Sequence, residues 1–165
     1  MADESQQSQE PTSKRRKILS HLPIAIKVLE VIVAIFAIGL AVDPMDSFQH
    51  VFTRSRFKLA DAATIYITVA GYILINTLFI LSHMLGDRVP KRTLIMFASV
   101  GAFMHVVAGS LMVHNWRKIN NSYYFPNNEN YASKQYMDML VSAAVFTFVN
   151  AALFVAELIA IIRYS

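Results

Sequence analysis

The chain has 165 residues, 55% of them hydrophobic and 16% charged, with a formal net charge of +4. Its apolar residues lie in long blocks, which excludes an ordinary soluble domain, and its basic residues flank those blocks, which tells against a nucleic-acid-binding stripe. The absence of cysteine excludes a disulfide framework, a thiolate zinc site and S-palmitoylation.

Residues 1–21 read as a disordered basic cytosolic tail. Gln6, Gln7, Ser8, Gln9, Glu10 and Pro11 lead into the basic run Lys14-Arg15-Arg16-Lys17, and no apolar period develops. The first apolar block runs from about Leu22 to Val42. It is longer than a signal-peptide core, and its basic flank begins far from Met1, so it is expected to stay as a signal-anchor helix. The second block covers about 62–85 and the third about 93–114. Their link, Gly86 to Arg92, is short enough to make them an antiparallel hairpin. Gly86 suits a helix end, and Pro90 precedes the next start. The fourth block covers about 139–162, leaving a short tail at 163–165. Each block is near the ~20 residues needed to cross the hydrocarbon core. The expected fold is all-α, a four-helix transmembrane bundle occupying 22–162.

The segments Asp43–Asp61 and Asn115–Asp138 are too short to hold separate domains. The second carries Tyr123, Tyr124, Phe125, Tyr131 and Tyr136, whose place is the headgroup interface. The run at 14–17 and the basic residues Arg88, Lys91 and Arg92 put both termini in the cytosol. Asn120-Asn121-Ser122 is a glycosylation sequon on the outer side, so near the third span that modification is not expected.

Ionisable side chains inside a span are functional candidates. Lys27 and Glu30 share a face of the first helix, and Glu157 lies at matching depth on the fourth. The set could hold a proton or a cation. Alternatively, Lys27 snorkels to the headgroups while pairing with a carboxylate. A second set, Asn76, His105 and Asn150, is expected near the midplane, bonding across helices. Gly101 and Gly109 flank His105, and Ala152, Ala156 and Ala160 recur every fourth residue. Such faces let backbones approach closely, within the bundle or between copies. No phosphate-binding glycine loop, GxSxG or HExxH is present, and His83, Asp87 and His105 lack metal-ligand spacing. Neither catalysis, a cofactor nor a metal is expected.

The stretch from His83 to Trp116 has its own pattern: Leu85-Gly86, Lys91-Arg92, Leu94, Val100-Gly101, Met104, Gly109 and His114-Asn115-Trp116. Together with Lys27-Val28-Leu29 it resembles the Snakeskin-like four-pass proteins of insect smooth septate junctions. The layout is similar, more broadly, to MARVEL-type four-helix proteins of junctions and vesicles. The resemblance implies a plasma-membrane protein of an epithelial occluding junction. Its partners would be the lipid bilayer, other junctional membrane proteins and further copies of itself. Two other readings stand beside it: a MARVEL-like trafficking or membrane-organising protein, and a small channel or proton-coupled transporter using Glu30, His105 and Glu157.

Overall fold

A computed structural model describes residues 22–51, 58–87, 89–121 and 134–164. The fold is all-α. Four helices follow one another: α1 (Leu22–Val51), α2 (Leu59–Met84), α3 (Lys91–Asn121) and α4 (Lys134–Tyr164). Each contains a stretch long and apolar enough to cross a membrane, with mean hydropathy from 1.9 to 2.5. The basic tail, the tyrosines at 123, 124 and 131, and Ser122 of the sequon lie outside the described residues.

The helices run past the apolar blocks. α1 continues through Asp43 and Pro44 to Val51, although Pro44 cannot donate the backbone bond to the carbonyl four residues earlier. α3 continues through Asn115 and Trp116 to Asn121, so Asn120 stands on a helix. α4 begins at Lys134, one turn before its apolar run. Hydropathy marks where the hydrocarbon lies, whereas backbone hydrogen bonding carries a helix into the headgroup layer.

Between α2 and α3 the chain turns at Gly86, whose φ of +87° is left-handed. The Gly86 amide donates to His83 and the Asp87 amide to Ser82 (3.2 and 3.0 Å), closing the last turn of α2. The Pro90 carbonyl then accepts from the amides of Thr93 and Leu94, opening α3.

The four helices close a ring. α4 packs along both α1 and α3, while α2 packs against α1 and α3. The buried positions recur at mixed spacings of three and four. On α1 they include Lys27, Glu30, Ala34, Ala37, Ala41 and Met45; on α3 they include Ala98, Gly101, His105, Ala108, Met112, Asn115 and Ile119. That spacing is the seam of a left-handed bundle. Three alanines in succession on α1 let its neighbours come close.

The distribution of polarity is inverted relative to a soluble bundle. Lys27, Glu30, Asn76, His105, Asn115, Thr147, Asn150 and Glu157 are buried, whereas Ile67 is 70% exposed, Phe103 67% and Leu74 62%. An apolar belt of this extent in water would aggregate; around a polar interior it is a surface for lipid.

Candidate functional site: a buried charged cluster and a ring-stacked midplane

The charged cluster forms toward the end of the bundle that holds the α2–α3 turn. Lys27 and Glu30 lie in the first turns of α1, Asn76 eight residues from the end of α2, and Glu157 seven from the end of α4. The antiparallel order brings these positions to one level. Lys27 Nζ meets Glu157 Oε1 at 2.8 Å. It also donates to Asn76 Oδ1 at 3.2 Å, and Asn76 Nδ2 donates to Glu30 Oε2 at 2.9 Å. Asn76 therefore bridges the ammonium and the second carboxyl, using both ends of one amide.

The Lys27 ammonium also lies 4.9 Å from the centre of the Phe79 ring, and Phe79 meets Phe97 of α3 edge-on at 5.3 Å. All four helices thus meet at one lysine, directly or through one ring. Both carboxyls are fully buried and Lys27 is 3% exposed. Lys27 does not snorkel to the headgroups; its partners hold it inside. Glu30 Oε1 and Glu157 Oε2 have no hydrogen-bond partner among the described residues. Two carboxyls face one ammonium, an arrangement whose stability rests on geometry because desolvating each ion is costly.

The midplane is a separate layer. His105 lies at the middle of α3 and Asn150 at the middle of α4. Asn150 Nδ2 contacts His105 Nε2 at 3.0 Å, and His105 Nδ1 contacts the Gly101 carbonyl at 2.8 Å. A carbonyl only accepts, so Nδ1 carries the ring proton, and Nε2 accepts from the amide. Asn76 does not join this layer, contrary to the sequence expectation. The middle of α2 is Tyr72, and Tyr72 takes the place expected for Asn76. Its ring meets His105 at 5.3 Å and Phe154 at 5.2 Å, both edge-on, and His105 lies 5.0 Å from Phe154.

Gly101 and Gly109 are where α3 admits these rings. A Cβ at Gly101 would stand 2.8 Å from Tyr72 Cε1 and 2.9 Å from Phe154 Cε1, and one at Gly109 would stand 3.0 Å from the Phe148 ring. Ala160 is buried, but Ala152 and Ala156 are exposed, so the expected alanine stripe crosses from the lipid-facing surface into the bundle. The cause is geometric. Every fourth position drifts by about 40° around a helix of 3.6 residues per turn.

A further contact was not foreseen from the sequence, which put Asp61 and Asn115 at the ends of loop segments. Asn115 of α3 is buried and donates to Asp61 Oδ2 at 3.1 Å and to the Leu111 carbonyl at 2.9 Å. Asp61 stands in the first turn of α2, where a carboxylate suits the helix dipole. This clasp ties α2 to α3 at the end opposite the charged cluster.

An apolar exterior, a polar interior and a closed ring of four spanning helices define a multi-pass membrane protein of the four-helix class. Residues 18–160 match the MARVEL family model, described as a membrane-associating domain, and the chain belongs to that family. No curated protein and no solved structure matches the chain.

Proposed function

We propose that this protein is a non-catalytic organiser of the plasma membrane, acting by lateral assembly with other membrane proteins at epithelial cell contacts. The observation that carries this reading is the division of labour between the two faces of the helices. Lys27, Glu30, Asn76 and Glu157, and His105 with Asn150, bond to one another across the ring, which holds the helices as one unit. The outer surface is apolar and includes the exposed small residues Ala152 and Ala156, at which a neighbouring helix can approach closely.

The site at cell contacts is supported by the resemblance of the 83–116 stretch to septate-junction proteins. The family match supports a membrane-organising role more generally. Both termini are placed in the cytosol on the basic run at 14–17 and on Arg88, Lys91 and Arg92 in the α2–α3 link. Digestion of an N-terminal tag by protease added outside intact cells would overturn that orientation.

The test of function removes the protein from a barrier epithelium and measures dye passage between cells. Leakage, with a tagged copy at cell borders, supports the junction reading. An intact barrier, with the tagged copy only on internal vesicles, rejects it in favour of a trafficking organiser.

A further inference from the structure

The buried cluster holds more carboxyl than ammonium. Among the described residues, the buried lysine, glutamate and histidine side chains are Lys27, Glu30, Glu157 and His105. His105 lies in the midplane layer and accepts from Asn150 at Nε2, so it is neutral and adds no charge. With both carboxyls ionised, the cluster would keep one uncompensated negative charge inside a span, where charge is costly. We propose that Glu30 and Glu157 share one bound proton, which makes the cluster a proton-binding site inside the bundle.

The geometry fits that ligand. The two carboxyls lie within hydrogen-bonding reach of each other. Both side chains are fully buried, yet Glu30 Oε1 and Glu157 Oε2 have no hydrogen-bond partner among the described residues. Ionised carboxylates only accept, so two of them side by side cannot bond. One proton turns their contact into an O–H···O⁻ bond, which is among the shorter and stronger kinds. The remaining oxygens are engaged elsewhere: Glu30 Oε2 accepts from Asn76 Nδ2, and Glu157 Oε1 faces Lys27 Nζ.

The helices around the pair offer no second cation in its place. From α1 comes Lys27, already set against Glu157. From α2 come the Asn76 amide and the Phe79 ring, and from α3 the Phe97 ring behind Phe79. A proton needs only two oxygens, one from each carboxyl. A hard metal cation takes about six, and here it would stand beside an ammonium. The proton belongs to the pair and not to either residue alone. It lets the ring of helices close around a cluster of no net charge.

The test uses the full chain in phosphatidylcholine vesicles at neutral pH, with isotope-labelled glutamate carboxyls. Infrared absorption separates a protonated carboxyl from a carboxylate, and the label separates glutamate from aspartate. The unaltered protein is expected to show a protonated glutamate band equal to one carboxyl per chain. Glu30→Gln and Glu157→Gln should each remove it, because the remaining carboxylate then balances Lys27. Replacing sodium with choline should leave it unchanged.

Absence of the band from the unaltered protein in both salts overturns the proposal. So does a band undiminished in either glutamine variant, since the proton is then not shared. A band that appears only when sodium is withdrawn also overturns it, by giving the site to a metal ion. Where a variant folds poorly, residue-assigned carboxyl resonances of the unaltered protein, from solid-state NMR, replace it. One protonated member in the Glu30–Glu157 pair supports the site, and two carboxylates refute it.

Discussion

Lys27 of α1 and Glu157 of α4 form an ion pair of 2.8 Å that closes the ring of helices between its first and last members. Both side chains are almost wholly buried, so neither can exchange its partner for water. Lys27→Met leaves two buried carboxyls without a cation and is expected to lower stability by about 3–5 kcal/mol. Glu157→Gln keeps Lys27 beside Asn76 and Glu30 and should cost less. Unfolding in mixed micelles against increasing denaturing detergent measures both. A Lys27→Met protein as stable as the parent would show that the pair contributes nothing.

Gly101 and Gly39 should respond oppositely to one methyl group. At Gly101 the added carbon meets the Tyr72 and Phe154 rings at 2.8 and 2.9 Å. Moving either ring disturbs the stack on His105, so Gly101→Ala should destabilise by about 1–3 kcal/mol. At Gly39 nothing lies within 4 Å. Gly39→Ala should be neutral or stabilising by up to about 1 kcal/mol, from the backbone freedom that alanine removes. The same detergent titration tests the contrast.

Within the midplane, Asn150→Ala removes one interhelical bond and is expected to cost about 1 kcal/mol. His105→Ala removes that bond and two ring contacts, each with about 0.5–1.5 kcal/mol beyond its buried area. It should therefore cost clearly more. Equal losses for the two variants would show that the rings add nothing to the bond.

The Asn115–Asp61 clasp is local, and its loss should show locally. Asn115→Leu is expected to raise hydrogen exchange in the first turns of α2 while leaving the amides around Asn76 protected. Uniform loosening of all four helices would contradict a separate clasp.

Exposed Ala152 and Ala156 test lateral assembly apart from folding. Leucine at both positions adds bulk to a lipid-facing surface, so the detergent titration should be unchanged. Cross-linking between copies in bilayers should fall if this face packs against neighbours. Undiminished cross-linking would remove this face from the proposed assembly.

The number and kind of helices were legible in the sequence because hydrocarbon thickness imposes a length that few other constraints require. The charged cluster was legible in part. Lys27, Glu30 and Glu157 stand out within apolar runs, and their depths can be counted from the block ends. Asn76 was placed one layer too deep because its block was measured by hydropathy. Measured on α2 itself, the midpoint is Tyr72.

The aromatic stack was not legible. Tyr72 and Phe154 look like any other apolar residue in a span, and only the juxtaposition of three helices gives them a role. Nor was the orientation of the alanines. When both faces of a helix are apolar, composition cannot say which one faces lipid. Asn115 and Asp61 were hidden by their position at block ends, where a polar residue is ordinarily solvated.

The pairing of Lys27 with Glu157 also bears on how the chain is made. During synthesis Lys27 enters the membrane three helices before its carboxylate partner on α4 exists. Until α4 arrives, the ammonium lacks Glu157, and α2 supplies Asn76 and the Phe79 ring. A product that stops after α3 therefore exposes a lysine on a surface built for contact with another helix. The closing ion pair is thus the last of these contacts to form, set by the order in which the ribosome delivers the two ends.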